Sequence, residues 1–313
     1  MILIADSGST KTDWVVAAEG RLVGRCTTQG INPFHQSESQ ISDVLRQELL
    51  PQVLSIAAGH SVGGSVASHA DEAGGSIRQV LFYGSGVTSE LEPLMERQLQ
   101  AVFPQAVIEA RSDLYGAARA VCGSRRGIAC ILGTGANSCL WDGRHIVQNT
   151  PALGYILGDE GSGAVLGIRF LNALYKGALP QALRRDFERH TGLTMADVIR
   201  RVYREPMANR FLASLSPFIK QHADMPGVRQ MVVDNFRCFF RRNVAPYFCY
   251  GNDGAPVLKP AGSADMPVGF VGSIASYYGD ELREAAAAEG FTVGTVLRSP
   301  IEGLVKQLFS AYS

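Results

Sequence analysis

The sequence lacks the features that mark several classes of protein. Its 29 Lys and Arg are balanced by 29 Asp and Glu, so no net charge attracts it to nucleic acid or to an anionic membrane. No apolar run reaches the roughly 18 residues that span a bilayer. The first six residues lack the basic region of a signal peptide. We therefore expect a cytoplasmic protein with no nucleic-acid or membrane partner, which binds any anionic ligand at a local site.

Cysteine is scarce and is not arranged to bind a metal. The six cysteines include no Cys-x-x-Cys pair and no Cys/His spacing that is typical of a zinc site. Several of them stand within apolar runs, as Cys130 does between Ile128 and Leu132. We therefore predict small, buried, reduced thiols.

Apolar residues are abundant, at 46% of 313 residues, and the length suggests about two domains. The predicted elements occur twice in one order, in which a strand, a glycine turn and two more strands precede α/β units. The predicted first strands are 2–5, 12–18 and 22–28 in one half, and 127–132, 138–141 and 145–148 in the other. A helical stretch over about 160–250 occurs only in the second half. We predict domains 1–118 and 119–299, with a last helix at 300–313 that packs back on the first domain.

Two alignments support a duplicated α/β domain. The segment from Asp6 to Trp14 aligns with that from Gly133 to Trp141, each with a Gly and hydroxyl-rich turn. Residues 82–85, Phe-Tyr-Gly-Ser, align with 270–273, Phe-Val-Gly-Ser. The two offsets differ by about sixty residues, roughly the length of the helical insertion.

The first motif that could bind phosphate follows the first strand. A glycine turn permits positive φ or a close backbone approach, and its N–H and hydroxyl groups can contact phosphate oxygens. Asp6, at the strand end, is placed to hold a hydrated Mg²⁺. An ordinary hairpin turn is the alternative, and the loop is not a Walker A loop. The residues concerned are Asp6, Gly8, Ser9, Thr10, Lys11 and Thr12.

Four further segments could contribute chemistry. The turn Gly133-Thr134-Gly135 repeats the first motif in the second half, and residues 158–163, Gly-Asp-Glu-Gly-Ser-Gly, place Asp159 where it could accept hydrogen bonds from ligand hydroxyls. Asp113 follows a strand and could accept a proton from an attacking hydroxyl, or it could serve only as a helix cap. Gly272 and Ser273 open a helix that could contact a nucleotide.

These elements, in this order, resemble the sugar kinase/Hsp70/actin superfamily, and more narrowly the N-acetylglucosamine kinases and the BadF/BadG/BcrA/BcrD ATPase family. The resemblance covers the whole chain, and residues 154–163, Gly-Tyr-Ile-Leu-Gly-Asp-Glu-Gly-Ser-Gly, carry it most distinctly. It implies duplicated ribonuclease H-like (actin-like ATPase) domains with an interdomain cleft and a helical insertion in the second half.

The resemblance also implies an activity and a set of site residues. The implied activity is ATP- and Mg²⁺-dependent phosphorylation of an amino sugar, and N-acetylglucosamine is the expected acceptor. A homodimer is compatible with this activity. Asp113 matches the catalytic aspartate, and Thr10 and Thr134 match nucleotide-phosphate positions. The expected sugar contacts are Asn32, Asn137, Gly154, Tyr155 and Asp159. Leu153 and Ala136 depart from the family pattern, in which Trp and Ser stand there, and both changes concern the sugar pocket.

Two other functions remain open from the sequence. An ATPase or nucleotide sensor without kinase activity would use the same fold. A serine hydrolase is suggested by Gly59-His60-Ser61-Val62-Gly63, preceded by an apolar stretch 53–58 that could form a strand. The histidine of such a triad usually follows the last strands, however, and the last histidine here, His222, lies well before them.

Overall fold

The protein divides into two compact units. The computed structural model describes residues 1–8, 10–19, 21–60, 77–249 and 266–310. Unit 1 combines Met1–Ala120 with the chain from Ser299 onward, and unit 2 is Val121–Arg298. Each unit buries a hydrophobic core of its own, as a compact domain requires.

Unit 1 is built on one mixed sheet. Its strands are paired in the order β3-β2-β1-β4-β5. The pairs β1–β2 and β2–β3 are antiparallel, whereas β4 runs parallel to both β1 and β5. The central strands are apolar along most of their length, as expected for strands buried on both faces. In chain order the strands are β1 (Ile2–Ser7), β2 (Lys11–Ala18), β3 (Arg21–Gln29), β4 (Gln79–Gly84) and β5 (Val107–Ser112).

The sheet of unit 2 repeats this plan. Its order, β10-β9-β6-β7-β8, is the order of unit 1 read from the other edge. The pairs β6–β7 and β7–β8 are antiparallel, and β9 is parallel to β6 and β10. The predicted duplicated α/β fold is therefore confirmed. The strands are β6 (Gly127–Leu132), β7 (Ala136–Trp141), β8 (Ile146–Thr150), β9 (Val268–Val271) and β10 (Val293–Leu297).

The helices of unit 1 follow the sequence signals with one difference. They are α1 (Glu38–Asp43), a π-helical segment (Val44–Leu49), α2 (Leu50–His60), α3 (Glu92–Gln100), α4 (Asp113–Cys122) and α15 (Pro300–Ser310). The sequence pattern predicts a helix from about Ser39 to Leu50, and this predicted end is wrong, because helical structure continues through α2 to His60. The Leu50 N–H bonds to the Leu45 carbonyl one residue beyond the α-helical partner, and this wider turn accommodates Pro51, which has no N–H to donate.

The same helix bears on the hydrolase alternative. Residues 53–58, which would form the strand before a nucleophilic serine, lie within α2. Ser61 itself lies outside the described residues. A nucleophile elbow requires a strand before the serine, and the structure has a helix there, which contradicts the serine hydrolase alternative.

The helices of unit 2 lie mainly between β8 and β9, as predicted. They are α5 (Gly154–Leu157), α6 (Gly163–Tyr175), α7 (Gln181–Thr191), α8 (Met195–Tyr203), α9 (Ala208–Ala213), α10 (Ser216–Gln221), α11 (Val228–Phe239), a π-helical segment (Phe240–Val244), α12 (Pro246–Cys249), α13 (Ser273–Tyr277) and α14 (Gly279–Ala288). The sequence pattern predicts a single helix over 274–289, but the structure divides this stretch at Tyr278 into α13 and α14. This side chain is buried, and its hydroxyl donates to the Ser216 carbonyl at 2.6 Å.

The two sheets correct the sequence alignment of the halves. Ala5 is paired with Phe82, and Cys130 is paired with Phe270, so these pairs occupy equivalent places. Three residues further on, Gly8 corresponds to Gly133, whereas the sequence alignment had placed Asp6 opposite Gly133. The alignment is therefore wrong by two residues at the first turn.

The tryptophans show the same error. Trp14 is paired with Ala5 in the middle of β1, whereas Trp141 is paired with Gly127, the first residue of β6. Their indole N–H groups also differ in acceptor, which is the Thr28 hydroxyl for Trp14 and the Gly123 carbonyl for Trp141. The two residues are not structural equivalents.

Among the described residues, no helix combines the length and the apolar character that crossing a membrane requires.

Candidate active site

The carboxyl ends of three parallel strands in unit 1 meet in one row. The ladders place Ser7, Gly84 and Ser112 side by side at the ends of β1, β4 and β5. Ligands of α/β sheets bind in the crevice outside such strand ends. The residues that follow these strands therefore share one edge, where a ligand could reach them.

Asp6 lies at this edge as the penultimate residue of β1. Its Oδ2 accepts a hydrogen bond from Ser299 Oγ at 3.1 Å. Burial raises the pKa of Asp6 to about 6; the Ser299 hydrogen bond opposes this rise, and the nearby Asp113 adds to it. The Asp6 carboxyl group therefore loses its proton only about one pH unit below neutral, and a bound cation could take the place of that proton.

Asp113 begins α4 at the end of β5. The hydroxyl of Ser112 accepts the Tyr115 N–H at 3.2 Å and so caps the helix. Asp113 is therefore not the side chain that α4 needs as its cap, although its Oδ1 accepts the Leu114 N–H at 2.8 Å. Burial raises the pKa of Asp113, and this is the direction that suits a carboxylate for accepting a proton near neutral pH.

Asn32 is fixed beside the strand ends by hydroxyl groups. Ser7 Oγ donates to the Ile31 carbonyl at 2.9 Å and accepts the Ile31 N–H at 3.1 Å. Asn32 is buried, and its Oδ1 accepts the Phe34 N–H at 3.0 Å. Within the part of the chain that the structure describes, its Nδ2 has no hydrogen-bond acceptor, so this donor is available to a ligand.

The turn after β1 is open above Gly8. A Cβ on Gly8 would meet only the Lys11 carbonyl oxygen, at 3.7 Å, and its φ lies outside the left-handed region. Of the two reasons for a glycine at this position, a positive φ is therefore excluded, and the close approach of another group remains. The Gly8 N–H is already bonded to the Lys11 carbonyl at 3.0 Å, so it is not free for a phosphate.

The other predicted residues of this turn differ in accessibility. Ser9 lies outside the described residues. Thr10 is exposed, and Lys11 pairs with Asp13 at 2.6 Å while remaining largely exposed. Thr12 is fully buried, and its hydroxyl lies 2.6 Å from that of Ser7. Thr12 therefore holds the turn together and does not face a ligand.

In unit 2 the turn Gly133–Gly135 lies against the start of α6. The Gly133 and Thr134 carbonyls accept the Gly163 and Ala164 N–H groups at 2.9 and 3.2 Å. These amides of the helix N-terminus are therefore satisfied by the turn and are not free for an anion. A Cβ on Gly133 would meet nothing within 4 Å, as at the equivalent Gly8.

Asp159 lies directly on this turn. A Cβ added to Gly135 would lie 3.0 Å from Asp159 Oδ2, and the Ala136 N–H donates to the Asp159 carboxylate. Asp159 is 8% exposed, and burial raises its pKa, against the Ala136 hydrogen bond. Its φ of 53° lies in the left-handed region, which fixes the side chain in an uncommon orientation.

Gly272 meets the same turn from β9. Its φ is +124°, and a Cβ there would lie 2.3 Å from the Leu132 carbonyl oxygen. Only glycine fits this close approach. Ser273 begins α13 directly after it. Unit 2 thus brings together the turn 133–135, Asp159 and Gly272.

The remaining predicted sugar contacts occupy the surrounding loops. Asn137 Oδ1 accepts the Ser138 N–H and the Asn149 amide, both at 2.9 Å. Gly154 is exposed with a φ of +72°, and its carbonyl accepts the Gly158 N–H at 2.7 Å, which closes the loop that leads to Asp159. Tyr155 is half-buried against the core of unit 2.

In each unit, some residues near the predicted ones were not predicted from the sequence. Ser299 contacts Asp6 from a distant part of the chain. Ser85 has a buried hydroxyl oxygen that lacks a partner among the described residues. Glu160 accepts hydrogen bonds from Arg242 and Asn243, both at 3.2 Å, and so ties the Asp159 loop to the π-helical segment at 240–244.

At this edge of unit 1, Asp6 is the residue that could help to bind a metal ion. The described residues contain no group of three His, Cys, Asp or Glu side chains that could hold an ion. A single half-buried carboxylate, Asp6, fits a magnesium ion that keeps several waters and is bound mainly by phosphate oxygens. Such an ion would arrive with a phosphate ligand.

The pKa of Asp6 leads to a test of stability against pH. The native state keeps the proton of Asp6 up to about pH 6, whereas the unfolded chain loses it near pH 4. Between these values the native state binds more protons, so rising pH lowers the free energy of unfolding, by roughly 2–3 kcal/mol. Asp6→Asn should remove this fall. Thermal melts from pH 4 to 8 measure it, and a constant difference between variant and wild type across that range would contradict the assignment.

Comparison with known proteins agrees with the fold and extends it. A provisionally assigned N-acetylglucosamine kinase from Porphyromonas gingivalis is 46% identical, covers 100% of both chains and superimposes with a TM-score of 0.85. A second provisionally assigned N-acetylglucosamine kinase, from Chromobacterium violaceum, is 17% identical, covers 98% of both chains and has a TM-score of 0.64, which shows the fold alone. No protein-family model matches the chain, and no curated protein matches it.

The first comparison is decisive because the identity is high and extends over the full length of both chains. The duplicated sheets, with the order 3-2-1-4-5 in each unit, agree with it. The chain therefore belongs to the N-acetylglucosamine kinase family.

Proposed function

We propose that the protein is an ATP-dependent sugar kinase, and that its acceptor is the 6-hydroxyl of N-acetylglucosamine. The observation that carries the proposal is the 46% identity over the full length to the P. gingivalis protein. The site residues of each unit support it, since they supply what phosphoryl transfer to an alcohol needs: a carboxylate base, donors for the sugar and a place for the phosphates.

Unit 1 supplies the proton acceptor. Asp113 takes the proton of the attacking hydroxyl, a contribution of roughly 10²–10⁴-fold to the rate. Its raised pKa suits this exchange, because the carboxylate can hold the proton that the alcohol releases. Asn32 donates its Nδ2 hydrogens, which no described residue accepts, to a sugar oxygen and so orients the acceptor.

Unit 2 supplies groups for both substrates. Asp159 and Asn137 bind sugar hydroxyl or acetamido groups. The exposed Thr134, and Thr10 in unit 1, donate their hydroxyls to phosphate oxygens, because the Gly8 and Gly133 N–H groups are bonded within their own turns. The open space above both glycines lets the phosphate chain approach the backbone.

Asp6 completes the phosphate side of the proposed site. The carboxylate of Asp6 would hold the water shell of a Mg²⁺ ion. When bound, such an ion would supply positive charge against the negative charge that develops during transfer. This role explains why a half-buried carboxylate with a raised pKa stands at the end of β1.

A coupled ADP-release assay with a panel of sugars tests the proposal. N-acetylglucosamine should stimulate ADP release more than glucose, glucosamine, N-acetylmannosamine or N-acetylmuramic acid does. Because Leu153 and Ala136 differ from the family pattern, the ranking among the N-acetylated sugars is the informative part. N-acetylglucosamine that lacks the 6-hydroxyl should bind without being phosphorylated. ADP release that no sugar stimulates would replace the kinase by an ATPase or a sensor.

A further inference from the structure

Ser299 occupies the point where the chain returns from unit 2 to unit 1. It is the first residue of the returning segment and precedes Pro300, which opens α15. This helix packs against β1, and its Ile301 and Leu304 are buried in unit 1. The backbone at Ser299 is therefore anchored close to the carboxyl end of β1.

The hydroxyl of Ser299 makes two hydrogen bonds of different kinds. Its oxygen accepts the Ile301 N–H at 3.3 Å, which caps α15. Its single hydrogen is then free for one acceptor, and Asp6 Oδ2 lies 3.1 Å away. The bond to Asp6 therefore has a defined direction, from Ser299 to the carboxylate.

Asp6 depends on this bond for its orientation. Within the described part of the chain, no other side chain donates a hydrogen bond to the Asp6 carboxylate. The charges that act on it are those of two carboxylates, Asp113 and Asp13, and of Lys11, which is engaged with Asp13. Without Ser299, the Asp6 side chain would have two like charges nearby and no donor among the described residues to hold its plane.

We infer that Ser299 is a positioning residue of the kinase, whose hydroxyl fixes the Asp6 carboxylate toward the magnesium–nucleotide complex. The inference rests on the proposed function. Partners that orient metal-binding carboxylates typically change metal affinity by about 10–100-fold when they are lost. Ser299 thus contributes to the phosphate side of the site without touching the sugar.

Three substitutions separate this role from helix capping. Ser299→Ala removes both hydrogen bonds, and Ser299→Thr keeps both. Ser299→Gly keeps most of the cap, because glycine is tolerated at a helix N-cap far better than alanine, but it has no side chain that could donate to Asp6. Calorimetric titration of ADP at increasing Mg²⁺ gives the Mg²⁺ concentration for half-maximal binding, and thermal melts report the cap.

The expected result is a rise of about tenfold in that Mg²⁺ concentration for Ser299→Ala and Ser299→Gly. Ser299→Thr should match the wild type, as should binding of ADP to all variants without Mg²⁺. If Ser299→Gly binds Mg²⁺ and ADP as the wild type does, Ser299 is a helix cap and the inference is wrong. Unchanged Mg²⁺ dependence in Ser299→Ala also overturns it, while sugar-stimulated ADP release by the wild type would leave the proposed kinase intact. A wild type without Mg²⁺-dependent nucleotide binding overturns both.

Discussion

Asp113→Asn is expected to lower kcat for sugar phosphorylation by roughly 10²–10⁴-fold and to leave the affinity for ATP unchanged. Asparagine has the size of aspartate, and its Oδ1 can still accept the Leu114 N–H. The helix cap does not change, because Ser112 supplies it. What the amide loses is the ability to take a proton from the attacking hydroxyl. Steady-state kinetics and calorimetry of ATP binding measure the two quantities separately.

A matched control and a pH profile sharpen this test. Asp43→Asn changes the same side chain on an exposed face of α1 in the same unit, and it should leave kcat as in the wild type. Because burial raises the pKa of Asp113, the wild-type kcat should fall on the acid side at a pH above the ordinary range of aspartate. Near-normal turnover in Asp113→Asn would exclude Asp113 as the base.

The duplicated fold could be predicted because its signals are local. Short apolar strands followed by glycine turns recur in both halves, and the helical insertion is the one long stretch without strand signals. The register of the halves could not be predicted from the same motifs. The hairpin turn contains four residues between Ser7 and Thr12 but three between Leu132 and Ala136, so equal spacing in sequence does not give equivalent positions.

The place of a candidate residue was predictable where its side chain lies at the end of a strand. Asp6 is the penultimate residue of β1 and Asp113 directly follows β5, and the parallel ladder brings these two strand ends to one edge. Ser299 was not predictable, because its partner Asp6 lies at the other end of the sequence and a Ser-Pro pair before a helix already has a reason to exist as a cap. Contacts between distant segments depend on packing that no local pattern encodes.

The glycines illustrate the same limit. For Gly8 the sequence allows either a positive φ or the close approach of another group, and the structure shows no positive φ there, whereas Gly86, just after β4, has a φ of +78°. The sequence shows that both residues are small and lie in turns, but it does not show which one meets a neighbour. Only the structure places Gly86 against Asn32.

Gly86→Ala is expected to lower kcat/KM for the sugar by about 100-fold, mainly through KM. A Cβ at this position would lie 2.1 Å from Asn32 Oδ1, too close for any contact. Asn32 cannot simply swing away, because it is buried and its Oδ1 holds the Phe34 N–H. The added methyl group therefore displaces the amide that we propose orients the sugar, and a displacement of about 1 Å in such a group can cost 100-fold in rate.

Backbone strain alone must be separated from this clash, and Gly192 offers the matched control. Gly192 has a φ of +67°, and a Cβ there would meet nothing within 4 Å. Gly192→Ala should therefore lose stability by about 1 kcal/mol, as any alanine in the left-handed region does, and keep the KM of the wild type. Removing the clashing amide in the double variant Gly86→Ala with Asn32→Ala should cost no more than Asn32→Ala alone. Equal KM values for Gly86→Ala and Gly192→Ala would show that Asn32 does not contact the sugar.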